Sequence, residues 1–249
     1  MQEEKLPITE HLEELRTRLI RAFIALGITS AGCYLFAEKI LTFLLKPLIS
    51  SLPETSNLVF INLTEAFIAY IKIAILAGGV VASPYIFYQL WLFISPGLYE
   101  KEKRIAITFV VTTVTCLLLG MAFCYFVILP VIFPFLLSFG KELILPLPTL
   151  KSSVSVVIRL FLIFGFIFEI PLITFFLARI GLIRRSMLRG ARKLIFLLSF
   201  VIAAIITPPD VVSQIIVGFP LYAIFEVSIL LAGLGEKKRE EKGEAESDG

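Results

Sequence analysis

Residues 105–140 read IAITFVVTTVTCLLLGMAFCYFVILPVIFPFLLSFG, 36 positions without one charged side chain. A single helical crossing of a bilayer takes about 20 apolar residues, so this run is a transmembrane span with residues to spare. Pro130 and Pro134 fall in its last third. The expectation is a span over about 105–129 followed by a broken helix that packs with the Pro146 and Pro148 loop as an outer cap.

Working outward, other long apolar stretches predict spans at about 19–37, 64–94, 154–178, 194–207 and 211–231. The whole chain is 58% hydrophobic with mean hydropathy +0.93, more apolar surface than a soluble core of 249 residues can hold. The fold class expected is therefore all-α: a polytopic membrane protein, one six-span domain over 1–235 with short fifth and sixth spans.

Charge fixes the orientation. Seventeen of 23 Lys and Arg lie in the connections that share one side after six crossings: Lys5, Arg16, Arg18 and Arg21; Lys101, Lys103 and Arg104; six from Arg179 to Lys193; four in the tail. Only Lys39, Lys46, Lys141 and Lys151 lie across the lipid. By the positive-inside bias both termini are cytoplasmic. The charged tail 236–249, nearly without apolar residues, is expected to be disordered. Acidic residues before the first span, Glu3, Glu4, Glu10, Glu13 and Glu14, argue against a cleaved leader.

Local chemistry sets further expectations. Residues 8–21 read as a helix delivering the chain to span one, with Thr9 as N-cap, and an amphipathic piece from Lys39 to Lys46 is expected to stop at Pro47. Pro84 predicts a kink in span two, and Tyr85, Tyr88 and Trp91 an aromatic belt. Span five has 14 residues, about 21 Å of helix, against a core of about 30 Å. Thr207-Pro208-Pro209-Asp210 forces the turn after it. Either a re-entrant hairpin or two short spans satisfies the charge count. The cost of a mid-bilayer Asp, about 2.5 to 3.5 kcal/mol, favours short spans in locally thinned lipid.

Four sets of polar residues stand out. Glu169 lies far from either end of span four, and such a group must be paired, neutral or beside water. Arg159 on the same helix is about 15 Å of rise away, so it is no partner for it, and Glu169 is expected to face another helix or a wet cavity. Glu14, Glu100 and Glu102 place carboxylates on the basic face. An i,i+4 pair of Glu14 with Arg18 is the structural explanation; bidentate recognition of an arginine pair is the functional one. Asp210 and Gln214 form a polar corner that turn chemistry and capping also explain. Glu226 is expected to reach the inner interface.

Several classes are excluded. The only histidine is His11, and no Gly-rich phosphate loop, metal-ligand cluster or G-x-S-x-G appears, so no enzyme and no cofactor are expected. Cys33, Cys116 and Cys124 form no CxxC and read as apolar filler. Nucleic-acid binding is not indicated; lipid is the solvent.

With these residues laid out, the chain resembles the TatC family, the six-span core of the twin-arginine protein translocase, from Ile8 to about Gly233. The resemblance rests on His11-Leu12-Glu13-Glu14-Leu15-Arg16, on Phe93 with Pro96 and Leu98-Tyr99 leading to Glu102, on Phe168-Glu169-Ile170-Pro171, and on Thr207-Pro208-Pro209-Asp210 with Ser213-Gln214. It implies that Glu14 and Glu102 read the arginine pair of a signal peptide, with Arg16, Phe93 and Pro47 important nearby or for the fold and Glu100 an additional acid. It implies a cupped bundle displaying Glu169; Arg159, Asp210 and Gln214 are, from their positions in or beside the spans, further candidates for intramembrane polar or partner contacts. TatA-like and TatB-like single-span subunits, self-association, a bacterial inner membrane and export of folded precursors driven by the proton-motive force follow from the same resemblance. The alternative function is a proton-coupled carrier of a small solute, with Glu169 as relay and Arg159 as anion contact.

Overall fold

The computed structural model describes residues 8–53, 56–94, 103–138, 147–207 and 210–247. Among the described residues the α-helices are, in chain order, α1 Ile8–Tyr34, α2 Ala37–Ile49, α3 Thr64–Ile94, α4 Lys103–Phe123, α5 Leu129–Ser138, α6 Leu150–Ile167, α7 Ile170–Arg179, α8 Arg185–Gly190, α9 Arg192–Ile206 and α10 Val211–Ser247. Among the described residues strand pairing is limited to one bridge between Val59 and Thr149. The all-helical class is as expected.

Among the described residues four stretches are long and apolar enough to cross a membrane: Thr64–Phe93, Ile107–Ser138, Leu150–Arg179 and Val211–Lys237. Leu12–Tyr34 and Ala37–Ile49, bent by 84° at the break between them, make a fifth only when taken together. α9 has 15 residues, about 22 Å of helix, and stays below the length of an unstressed span.

Contacts group the chain into two compact units: residues 1–43 with 62–115, and 44–61 with 116–249. In the first, α1 packs on α3 through a close backbone crossing. A Cβ on Gly78 would lie 2.4 Å from Ser30 Oγ and 2.6 Å from Ser30 Cα, and the Gly78 carbonyl accepts from Thr29 Oγ1 at 2.9 Å. Small residues drive such contacts where lipid supplies no hydrophobic difference. Trp91 is buried and stacks on Phe109 at 4.6 Å, so it packs between helices rather than joining Tyr85 and Tyr88, which are exposed.

The second unit is organised by α6. Val154, Val157, Leu160 and Phe164 are buried with Ile128, Leu129 and Ile132. The bridge ties the segment after α2 to the start of α6: Val59 N donates to Pro148 O at 3.2 Å and Leu150 N to Val59 O at 2.8 Å. α10 lies against α7, where a Cβ on Gly235 would come within 2.6 Å of Phe175 O. Gly181, at φ 83°, ends α7 in the left-handed conformation.

Several expectations change. Span three is not broken after 129: helix continues to Ser138 through a π-turn at Cys124–Ile128, where Leu129 N–H bonds Cys124 O, five residues back. Pro130 has no N–H and its ring crowds the preceding turn; a widened turn absorbs both effects. Span four divides at Phe168 and Glu169 into α6 and α7, ahead of Pro171. α2 runs two residues past Pro47, and α1 begins at Ile8, so Thr9 is inside it. The tail is helical through Ser247. Its Glu, Lys and Ala residues are good helix formers, and extending an existing helix avoids the cost of nucleation.

Candidate functional site

Glu14 stands in the second turn of α1, half-buried, and Arg18 one turn later donates through Nε to Glu14 Oε1 at 3.0 Å, with Nη2 on the same oxygen. The arrangement is an i,i+4 ion pair. Such a pair contributes only about 0.3 to 0.5 kcal/mol, so another guanidinium can displace Arg18 at little cost. Arg16 is exposed, and Phe93, near the end of α3, is half-buried. Glu100 and Glu102 lie outside the described residues.

Glu169 is built differently. The break between α6 and α7 places it as the residue before α7, where its N–H donates to Phe166 O at 3.1 Å and its carbonyl accepts from Ile173 N at 2.9 Å. Its side chain is 5% exposed, and neither carboxylate oxygen has a hydrogen-bond partner among the described residues. It turns toward the part of α4 that carries Cys116 and Leu117. Close packing holds this wall: a Cβ on Gly120 would lie 2.4 Å from Phe164 O and 2.9 Å from Phe168 Cβ. Phe123 packs against Phe164 and Phe168 with ring centres 5.7 and 5.5 Å away. A buried acceptor with no donor is costly, which marks the position as one that awaits a donor or a proton.

The remaining expected residues are placed as follows. Arg159 is exposed on α6, with no ion-pair partner among the described residues, and does not join Glu169. Asp210 caps α10: Oδ1 accepts from Ser213 N at 2.7 Å and Oδ2 from the Ser213 hydroxyl. These bonds, the hydroxyl first, hold its carboxyl below the usual carboxylate range. Gln214 is half-buried, and its N–H donates to Asp210 O at 3.2 Å. Pro47 is half-buried inside α2, its carbonyl accepting from Ser51 Oγ at 2.7 Å. Glu226 accepts from Arg192 Nη2 and from Tyr222 OH, each at 2.6 Å, which ties α9 to α10.

Sequence reasoning missed Gln89, buried on α3 with Oε1 unbonded among the described residues. The available signal was a lone amide in an apolar run. No group of three or more His, Cys, Asp or Glu suited to a metal occurs among the described residues.

Comparisons add a consistent pattern. Residues 10–220 match the family model described as TatC, Sec-independent protein translocase protein. A Sec-independent protein translocase protein TatC of Desulforapulum autotrophicum is 42% identical over 245 residues, 98% of this chain and 91% of that one. One from Aquifex aeolicus is 39% identical over 238 residues, 95% of this chain and 98% of that one. A crystal structure of the twin arginine translocase receptor TatC aligns with a TM-score of 0.81 at 38% identity, covering 90% of this chain and 99% of that one.

Proposed function

The chain belongs to the TatC family of Sec-independent protein translocase proteins, and on that premise we propose that it is the receptor and core scaffold of a twin-arginine translocase. The observation that carries this reading is the match, over 90% of the chain, to a solved twin-arginine translocase receptor. The site lies at the cytoplasmic rim of an energised bacterial inner membrane. There Glu14 and Glu102 each take one guanidinium of an arginine pair, with Arg16, Phe93 and Glu100 beside them. Lysine cannot copy the two-pronged geometry, which gives the site its selectivity. The Glu14–Arg18 pair supports exchange of one guanidinium for another.

Six spans with both termini inside satisfy the charge distribution. α9, at 15 residues, is the short one whose mismatch thins the lipid, whereas the sixth span, expected to be short, lies in a 27-residue apolar stretch of α10. Glu169 then serves as the polar contact for a single-span TatA-like or TatB-like helix, supported by its burial without a donor. Asp210, Gln214 and Pro47 hold the frame of that second surface, and copies of the chain self-associate around it. The proton-motive force drives passage; the chain carries out no catalysis. No relative or solved structure compared above is a solute carrier.

The test is photocrosslinking of a signal peptide to the membrane-embedded chain, comparing Arg-Arg with Lys-Lys and wild type with Glu14→Ala plus Glu102→Ala. Strong capture is expected for the wild type with Arg-Arg alone. Equal capture in all four combinations refutes the recognition scheme.

A further inference from the structure

Lys151, Ser155 and Arg159 recur every fourth residue on α6 and so lie along one side of it. Leu162 and Phe166, 45% and 62% exposed, continue the same sector toward the C-terminal end. The strip therefore changes from cationic to apolar along its length. Arg159 lies nine residues, about 13 Å, beyond the start of an apolar segment that runs from 150 to 179. Centred on a hydrocarbon core of about 30 Å, that 30-residue segment places the Arg159 backbone roughly 6 Å inside the apolar layer.

An exposed guanidinium at that depth requires an anion or water. Among the described residues Arg159 has neither an ion-pair partner nor a hydrogen bond, and Glu169 is buried beyond the end of α6, at the break before α7. Side chains on a helix lean toward its N-terminus, so Arg159 leans toward Ser155 and Lys151, in the direction of the headgroups. The Ser155 hydroxyl already donates to Lys151 O at 2.7 Å, leaving a small, polar step between the two cations.

We propose that this face of α6 binds one anionic phospholipid. Its phosphate sits at the level of Ser155 between Arg159 and Lys151, and its acyl chains lie along Leu162 and Phe166. A net-anionic headgroup is preferred over a choline headgroup, whose ammonium Lys151 repels. A carboxylate on a neighbouring helix would satisfy Arg159 and leave the exposed Leu162 and Phe166 without the tails that fit them. The proposal rests on 150–179 spanning the membrane and on nothing in peptide recognition.

The experiment is native mass spectrometry of the full chain extracted from vesicles of phosphatidylglycerol or of phosphatidylcholine, for wild type, Arg159→Leu, Arg159→Lys and Lys151→Gln. Wild type is expected to retain about one phosphatidylglycerol more per chain than Arg159→Leu, with Arg159→Lys between them. Lys151→Gln should lower the preference for phosphatidylglycerol by about fivefold. A leucine on a lipid-facing position leaves folding intact, checked by thermal unfolding, and Arg-Arg peptide capture by Arg159→Leu should equal that of wild type. Equal lipid retention by wild type and Arg159→Leu overturns the proposal, as does release of the lipid by millimolar inorganic phosphate. Loss of a carboxylate-bearing partner helix in Arg159→Leu with lipid retention unchanged also overturns it. Failure of the peptide to bind any variant would count against the receptor reading alone.

Discussion

Glu14 and Glu169 are the same side chain in opposite circumstances. Glu14 is half-exposed on α1 and held by Arg18 of its own helix. Glu169 is 5% exposed at the break between α6 and α7 and has no donor among the described residues. The first contact is weak because water screens it and can replace it. The second acid has lost its water and gained no more than a weak approach to the Leu117 backbone. A carboxylate of the first kind exchanges ligands readily; one of the second kind stores an unmet demand that a partner inserted from the lipid can satisfy.

The largest effect is expected where the buried acid is walled in. Gly120→Val places side-chain atoms where Phe164 O already approaches, and thermal or denaturant unfolding in detergent should show a loss of about 3 kcal/mol. Glu169→Leu removes the unmet acceptor, so the isolated chain should gain about 2 kcal/mol in the same assay while capture of single-span partner helices falls. A loss of stability instead would mean that Glu169 is satisfied in the isolated chain, and the contrast with Glu14 would fail. Asp210 offers a smaller, intermediate case. Its folded-state value lies below that of the unfolded chain, so its cap stabilises α10 fully above the ordinary Asp range and the contribution fades as pH falls through the lower folded value. Unfolding scans from neutral pH to about pH 3 should show this acid-side loss in wild type and its reduction in Asp210→Asn. The smallest effect is at α1: Arg18→Gln releases Glu14 from competition worth about 0.5 kcal/mol, so an Arg-Arg peptide should bind about twofold tighter.

Much of this was legible in the sequence. Uncharged length identified the stretches at Thr64–Phe93, Ile107–Ser138, Leu150–Arg179 and Val211–Lys237 and the short α9, whereas the bend near residues 35–36 was not foreseen. The depth of Glu169 was visible from its distance to either end of span four, yet its lack of a donor was not, since that depends on Gly120 and Phe168 closing the wall around it. Proline positions located disturbances without giving their form. Pro130 produced a widened turn, Pro171 a break, and Pro47 neither, because the outcome depends on which neighbours absorb the missing donor. Trp91 looked like a belt residue because period alone cannot show that Phe109 covers it. The helical tail was missed because low hydropathy was read without crediting the helix it extends and the Glu236 carboxylate that accepts from Arg185 N at 2.7 Å.

The most direct measurement is the equilibrium affinity of the chain in lipid nanodiscs for two signal peptides differing only in Arg-Arg versus Lys-Lys, with wild type and Glu14→Gln. Charge-assisted hydrogen bonds of about 1.5 to 3 kcal/mol predict at least tenfold preference for Arg-Arg in the wild type and a much reduced preference in Glu14→Gln. Equal affinity for the two peptides, or a preference that survives Glu14→Gln unchanged, would contradict the account.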